Sequence, residues 1–243
     1  MSLPSVEDVR ARIAAVPEEQ FRYCLMATYL WDARISEVIA KVCNSDQTVA
    51  RGPKGTDAKL DKFTLLGTEI DCVIFALKTA KRQGRERHIA LPLEEQYEPW
   101  SKSLYGYFLQ TGQKAVFPFT RQRIWQYVKE TEVFKGLTYP IERYIVKKKG
   151  ELEKRPIPAH KRLFRLHALR HLRATELVSY YGFDGFNLAT YGGWTYHTMA
   201  QTSSIMDRYL SLSWQSYFPK LLVPLDEIMY GEPSLQQVSA NTA

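Results

Sequence analysis

The stretch that decides the fold lies in the second half of the chain, at residues 167–182, and reads HALRHLRATELVSYYG. We predict a helix over residues 167–181 that ends at Gly182, a residue type that commonly terminates helices. Side chains three positions apart are neighbours on a helix, so His167 and Arg170 share one face. The stretch therefore predicts a helix that presents a histidine beside an arginine.

A second motif, Ala33-Arg34-Ile35-Ser36-Glu37, lies far upstream in an otherwise apolar helical segment, residues 18–42, which is one long helix or two abutting ones. A charge on such a segment must find a partner or a ligand. Two interpretations stay open from the residues alone. Arg34 and Glu37 form a surface ion pair of the helix, or Arg34 serves an anion-binding site.

Between these motifs, the chain predicts strands. Residues 70–77 and 88–92 are rich in β-branched and apolar side chains, and the basic segment 78–87 joins them as a turn. Residues 144–157 predict a second hairpin or a basic loop. The polar residues 44–61, with Gly52, Pro53 and Gly55, predict a mobile loop.

Helical patterns account for most of the remaining chain. Ser5 opens a helix to about residue 15, and Thr120 is a candidate N-cap for a helix over residues 123–133. Further helices are predicted over residues 104–109 and 198–218, the latter stopped by Pro219. The fold class that follows is α+β, mainly α-helical, with a small antiparallel sheet. Residues 1–218 form the domain, and residues 219–243 form a C-terminal tail with an apolar stretch and a polar, disordered end.

Composition and charge indicate which kind of partner the protein binds. The 243 residues are 45% hydrophobic, which is enough for a substantial core, and no apolar run reaches the length of a membrane span. Three widely spaced cysteines indicate reduced thiols rather than a disulfide framework or a zinc site. The net charge is +7, but residues 143–173 hold 11 lysines and arginines against 2 acids. This asymmetry indicates a polyanionic partner, with a solvated basic face as the alternative.

Taken in chain order, the motifs resemble a known family. They are the Ala33–Glu37 motif, a lysine-bearing hairpin, His167-Ala-Leu-Arg170-His, Gly192-Gly-Trp194 and a late tyrosine, Tyr209. This order resembles the catalytic domain of the tyrosine recombinases and integrases, over roughly residues 21–218. Residues 116–120 also look like the segment that leads into a helix in the middle of that domain.

The resemblance implies a catalytic role for six residues. Arg34 and Arg170 match the two catalytic arginines, His167 the histidine of the second motif, Lys78 the hairpin lysine, Trp194 the position held by His or Trp, and Tyr209 the nucleophile. Glu37 matches the acidic residue that supports the first arginine. The resemblance also implies a tyrosine-recombinase-like fold.

These residue types suit one reaction independently of any family. Two guanidinium groups can neutralise the nonbridging oxygens of a phosphodiester in its transition state. A lysine can protonate the leaving oxygen, and a tyrosine can form a covalent ester with phosphorus. This chemistry requires neither a metal nor another cofactor, and it consumes no ATP.

The chain departs from the family pattern at three places. Arg34 and Lys78 are 44 positions apart, longer than expected, which leaves Lys81 as a rival for the general acid. Trp194 and Tyr209 are 15 positions apart, which is also long. Only 33 residues precede Arg34, so we expect a compact recombinase or a catalytic fragment without a separate N-terminal domain.

The expected function is site-specific recombination or integration of double-stranded DNA through a 3′-phosphotyrosyl intermediate. Alternatives are an activity like that of type IB topoisomerases, a resolvase, and a catalytically silent DNA-binding protein. We expect no membrane association, a cytoplasmic protein at the nucleoid, and a monomer that becomes a homotetramer on DNA. For the tail two arrangements stay open: it docks in trans on a neighbouring molecule, or it folds back in cis on its own domain. The predicted DNA contacts are Lys81, Arg82, Lys147, Lys148, Lys149, Lys161 and Arg162.

Overall fold

The structure is a computed structural model that describes residues 4–40, 52–78, 86–138, 142–146, 152–156, 164–193 and 213–230. Eight α-helices lie in these ranges: α1 Val6–Ala14, α2 Glu19–Leu30, α3 Ile35–Val38, α4 Pro99–Thr111, α5 Arg121–Glu130, α6 Leu166–Ser179, α7 Gly185–Gly192 and α8 Leu225–Tyr230. The strands are β1 Ala58–Leu65, β2 Thr68–Lys78, β3 Glu86–Pro92, β4 Glu142–Val146 and β5 Leu152–Pro156. About half of the described residues are helical, which confirms a mixed α and β fold with a small antiparallel sheet.

The predicted helix starts are confirmed at two caps. The Ser5 hydroxyl accepts a hydrogen bond from the Asp8 backbone N–H at 3.1 Å, and α1 begins at the next residue. The Thr120 hydroxyl accepts from the Arg123 backbone N–H at 3.2 Å, so α5 begins at residue 121. Each hydroxyl satisfies an N–H group that has no partner within the helix.

The apolar segment 18–42 folds into two helices, α2 and α3. The break between them lies at residues 31–34, where Asp32 adopts a left-handed backbone conformation with φ of 47°. A helix cannot continue through this conformation. Arg34 therefore lies at the entrance to α3 rather than in the middle of a long helix.

The predicted hairpin of residues 70–92 is confirmed, and of the two alternatives for residues 144–157 the structure has the hairpin. Strand β2 lies between β1 and β3 in an antiparallel sheet, and β4 pairs with β5 in a second sheet. In the β2–β3 ladder, Leu77 is opposite Arg87, and Lys78 is opposite Glu86. Residues directly opposite each other share one face of a sheet, and successive residues alternate. Arg87 therefore lies on the buried face with Leu77, and Lys78 lies on the exposed face.

The prediction of a mobile loop is wrong for residues 52–61. The Val116 N–H donates to the Pro53 carbonyl at 3.0 Å, and the Thr56 N–H donates to the Gly112 carbonyl at 3.1 Å. Gly55 lies so close to α4 that an added Cβ would come within 2.2 Å of the Phe108 carbonyl oxygen. Here glycine is required for close approach, and the segment leads directly into β1.

The prediction of a helix to residue 218 is wrong at its C-terminal end. Residues 214–216 and 218–221 form two short 3₁₀-helices, and Pro219 lies in the first turn of the second. Proline is tolerated there because the first N–H groups of a helix have no partner within it. Residues 194–212 lie outside the described part.

The core is one large cluster with an aromatic centre. Trp31 is fully buried, and its ring lies 5.0 Å from that of Phe75 on β2 and 5.8 Å from that of Phe108 on α4. Leu221 and Ile228, from the C-terminal end of the described chain, belong to the same cluster. The apolar part of the tail therefore packs in cis on its own domain, which is the arrangement that competes with docking in trans.

Two further predictions can be compared with the described residues. Cys24 and Cys72 are free, buried thiols, whereas Cys43 lies outside the described part. None of the described helices combines the length and the apolar character that a membrane crossing requires.

Candidate functional site

Helix α6 brings the predicted histidine and arginine to one place. His167 lies in the first turn of α6 and is exposed, whereas Arg170 is only 3% exposed. The two residues are three positions apart, as predicted from the sequence. The imidazole is therefore accessible from solvent, and the neighbouring guanidinium is buried in the protein.

The centre of the site is the carboxylate of Glu37, which is 1% exposed. Three arginines from distant parts of the chain converge on it. Arg34 Nη1 lies 3.0 Å from Glu37 Oε1, Arg87 Nη2 lies 3.2 Å from Oε2, and Arg170 Nη1 lies 3.7 Å from Oε2. One buried acid therefore fixes all three guanidinium groups relative to one another.

The start of α3 positions Arg34. The Glu37 carboxylate also accepts a hydrogen bond from the Arg34 backbone N–H at 3.0 Å, so it caps the helix that carries it. The Arg34 side chain keeps 28% of its surface exposed, while its partner is buried. A surface ion pair does not describe this geometry, since Glu37 lies inside the protein and only Arg34 reaches solvent.

Carbonyl groups at the end of α7 hold the other two arginines. Arg170 Nη2 donates to the Gly192 carbonyl at 2.9 Å, and Arg87 Nη1 donates to the Tyr191 carbonyl. The last carbonyls of a helix have no partner within it and carry a partial negative charge. The Gly-Gly motif predicted from the sequence therefore contacts the arginines through Gly192, while Trp194 lies outside the described residues.

A second buried acid, Asp32, lies beside Arg170. Its side chain is fully buried, and its Oδ1 is 3.8 Å from Arg170 Nε. Neither carboxylate oxygen has a hydrogen-bond partner within the described part of the chain. Burial raises the pKa of Asp32 to about 7, although the charges of Arg170 and Arg87 act in the opposite direction.

The site has an excess of positive charge. The three arginines face two carboxyl groups, so the cluster carries +1 when Asp32 is ionised and +2 when it is protonated. Burial lowers the pKa of Arg170 to about 10, which still leaves it protonated at neutral pH. Partial burial, and then neighbouring positive charges including Arg34 and Arg170, lower the pKa of His167. The site therefore offers an anion the partly exposed guanidinium of Arg34, the positive charge of two buried arginines and a neutral imidazole.

One predicted site residue, Lys78, falls elsewhere, and several others lie outside the described residues. Lys78 is exposed at the end of β2, on the opposite face of the sheet from Arg87. Its predicted rival, Lys81, lies outside the described residues. So do Tyr209, Arg82, Lys147, Lys148, Lys149, Lys161 and Arg162.

Arg87 and Asp32 were missed by the sequence analysis. Arg87 was included in the predicted basic turn, residues 78–87, and was given no role in the site. Asp32 lies two residues before Arg34 in the same apolar segment. The requirement that a charge on an apolar segment find a partner, which pointed to Arg34, applies equally to Asp32.

No protein-family model, curated protein or solved structure matches the chain. Among the described residues, no three histidine, cysteine or acidic side chains come together in a group that could hold a metal ion.

Proposed function

We propose that this chain is a DNA strand transferase of the tyrosine recombinase type, which cleaves and rejoins double-stranded DNA through a phosphotyrosyl intermediate on Tyr209. One observation carries the proposal. Arg34 and Arg170 are 136 positions apart, yet both contact the Glu37 carboxylate, and the exposed His167 lies one helical turn from Arg170. Arg34, Glu37, His167 and Arg170, four of the residues that the family resemblance singled out, are thus neighbours in space.

The arginines bind the scissile phosphate. A guanidinium group offers a planar pair of donors that matches two phosphate oxygens. The Arg34 side chain is 28% exposed and can contact the nonbridging oxygens directly, while the buried Arg170 contributes its positive charge. Glu37 and the carbonyls at the end of α7 fix these donors before the substrate arrives, which lowers the reorganisation needed in the transition state.

The covalent step follows from this binding. The hydroxyl oxygen of Tyr209 attacks phosphorus, the bond from phosphorus to the 5′-oxygen breaks, and a 3′-phosphotyrosyl ester forms. His167, neutral at neutral pH, accepts the tyrosine proton, and a hairpin lysine donates a proton to the leaving oxygen. We assign this lysine as Lys81, because Lys78 lies on the opposite face of the sheet from Arg87. A 5′-hydroxyl then reverses the step. The ester retains the energy of the broken bond, so rejoining requires no ATP.

The assembly belongs to the same proposal. Strand exchange between two duplexes needs four active sites, which we assign to a homotetramer on DNA. The basic residues 143–173 provide the contacts to DNA phosphates, through Lys147, Lys148, Lys149, Lys161 and Arg162, with Lys81 and Arg82 contributing from the hairpin turn.

The covalent intermediate gives the test. Wild-type protein is mixed with a pool of nicked duplexes of randomised sequence, because a nick lets the cleaved fragment diffuse away and traps the adduct. We expect a detergent-resistant protein–DNA adduct, with the modified peptide containing Tyr209. Tyr209→Phe should form none while binding DNA normally, because it lacks only the nucleophilic oxygen.

Matched variants sharpen this result. Tyr230→Phe, at an exposed tyrosine outside the site, should form as much adduct as wild type. Arg170→Ala should slow adduct formation by about 10²–10³-fold, the scale of losing a transition-state donor. An undiminished adduct in Tyr209→Phe would refute the assigned nucleophile. DNA binding without any adduct would identify a silent binder, and plasmid relaxation without strand exchange would identify a topoisomerase.

A further inference from the structure

Asp32 combines three unfavourable features at one position. Its φ is 47°, a left-handed conformation that is uncommon for residues other than glycine. Its side chain is fully buried, and both carboxylate oxygens lack hydrogen-bond partners within the described part of the chain. Strained or unsatisfied groups tend to persist where function requires them. This position lies beside the proposed phosphate site.

Four charged groups and one tyrosine surround Asp32. Arg170 and Arg173 face it from α6, Arg87 from β3, Glu37 from α3, and Tyr191 from α7. Several of these groups are committed elsewhere. Arg173 is paired with Glu176 at 2.7 Å, and Arg87 donates to Glu37 at 3.2 Å. The fold therefore does not need the Asp32 carboxylate to pair with Arg173 or Arg87.

The distance between Asp32 and Arg170 also indicates that the Asp32 carboxylate is not needed to hold the fold. Asp32 Oδ1 is 3.8 Å from Arg170 Nε, which is beyond hydrogen-bond distance. A carboxylate kept only for structure would accept hydrogen bonds from these guanidinium groups, since that is where their attraction is strongest. Asp32 instead acts on Arg170 through its charge, and that charge can be removed by one proton.

From this arrangement we infer that Asp32 is a positioning residue that takes up a proton when a tetrahedral oxyanion, such as a DNA phosphodiester, binds between Arg34 and Arg170. The inference rests on the proposed function, because it assigns the anion to the same site. The proton comes from solvent, and Asp32 takes no part in the proton transfers of the cleavage step. An ionised Asp32 holds Arg170 in the empty site, and a protonated Asp32 leaves the arginine charge to the anion.

Thermodynamic linkage between proton binding and anion binding determines how anion affinity changes with pH. An anion beside Asp32 disfavours its ionised form, so anion binding raises the pKa of this carboxyl group from its value of about 7 in the empty site. By reciprocity, protonation of Asp32 strengthens anion binding by the same factor. Anion affinity should therefore fall as the pH rises through 7. Because the pKa values of His167 and His171 are lowered, these histidines change anion affinity at a lower pH than Asp32 does.

Sodium sulfate is the probe, because it resembles a phosphate group and keeps a constant charge across this range. Sulfate affinity is measured by calorimetry from pH 6 to pH 8, with sodium chloride holding the ionic strength constant. In the same protein, the carboxyl ¹³C resonance of Asp32 is followed by NMR. We expect an Asp32 midpoint near pH 7, an upward shift of about one unit with saturating sulfate, and a sulfate Kd about fivefold weaker at pH 8 than at pH 6.

Asp32→Asn is the matched variant, because asparagine tolerates the left-handed conformation and mimics the protonated carboxyl. Its sulfate Kd should stay constant between pH 7 and pH 8. Asp226→Asn, at an exposed acid on α8, should retain the wild-type pH dependence. The wild-type NMR titration remains decisive if the Asp32 variant does not fold.

The two proposals fail in different ways. An Asp32 midpoint near its ordinary value, or one that sulfate does not move, would overturn the proton coupling, even if the DNA adduct forms. An adduct that never forms, with sulfate coupling intact, would overturn the strand-transfer function and leave the coupled anion site. Sulfate that does not bind the wild-type protein at all would overturn the site itself.

Discussion

The two buried acids of the arginine cluster, Glu37 and Asp32, differ in the contacts that their carboxylates make. Glu37 contacts three guanidinium groups and caps its own helix, whereas the carboxylate oxygens of Asp32 accept no hydrogen bond within the described chain. Asp32 is therefore expected to reduce stability when it is ionised. A residue that destabilises the fold beside a candidate catalytic arginine is typical of a functional site, because such sites retain charges that folding alone would not select.

The stability of Asp32→Asn should depend on pH in a defined direction. The pKa of Asp32 is raised from 3.8 to about 7, so its favourable contribution is complete below pH 3.8 and is lost as the pH rises through 7. Asparagine has no such dependence. The stability gain of the variant over wild type should therefore grow by as much as about 4 kcal/mol between pH 4 and pH 8.

Urea unfolding of both proteins at the two pH values measures this difference. Any pH-independent cost of the asparagine side chain cancels in the comparison. A gain that does not change with pH would mean that Asp32 ionises normally in the folded protein, contrary to its burial.

At the scale of secondary structure elements, a buried ion pair joins α1 to the start of α4. Arg10 makes two hydrogen bonds to the Glu98 carboxylate, one of them 3.0 Å long, and both side chains are at most 6% exposed. The Arg10 guanidinium also stacks 4.4 Å from the Trp100 ring centroid, and Glu98 accepts a hydrogen bond from the Trp100 backbone N–H. This contact network packs the N-terminal helix against α4.

Breaking this pair from one side should cost more than removing both charges. Arg10→Met or Glu98→Gln alone should each lower the free energy of unfolding by about 3–5 kcal/mol, because each leaves a buried charge unpaired. The double variant should lose less than the sum by several kcal/mol. Urea unfolding of the four proteins gives the coupling energy.

The exposed pair Lys62–Glu69 on the β1–β2 hairpin is the control, since each side chain is 60% exposed. Its coupling energy should stay below about 1 kcal/mol. Additive losses at Arg10 and Glu98 would show that the two side chains stabilise the fold independently.

Elements with local signals could be predicted from the sequence, and elements decided by tertiary contacts could not. The caps at Ser5 and Thr120 and the β2–β3 hairpin follow from short patterns of residues. Strand β1 was missed because its sequence, AKLDKFTL, is polar and mostly exposed, so that its pairing with β2 holds it in place. In the site, Arg34, Glu37, His167 and Arg170 were predicted through motif order. Arg87 was not, because its role depends on the register that turns it toward Glu37.

Across the whole molecule, the C-terminal segment completes the core. Leu221 and Ile228 are each 2% exposed, and the Leu225 N–H donates to the Gln96 carbonyl at 2.7 Å. Helix α8 also contacts α1, so the two ends of the described chain meet. A segment held this firmly in cis should contribute to the stability of a single molecule, whereas docking in trans would make stability depend on assembly.

The contribution of Ile228 therefore distinguishes the two arrangements in the absence of DNA. Ile228→Ala removes a buried side chain and should lower the free energy of unfolding by about 2–5 kcal/mol. If the segment docks in cis, wild type and variant should each keep the same urea midpoint over about a hundredfold range of protein concentration, because a monomer's stability does not depend on mass action. Met229→Ala, at the half-buried neighbouring position, should cost less and serves as the control. A midpoint that rises with protein concentration in wild type but not in Ile228→Ala would show that the segment is exchanged between molecules before DNA is bound. A constant midpoint would place any exchange after DNA binding, where cis contacts of Leu221 and Ile228 must first break.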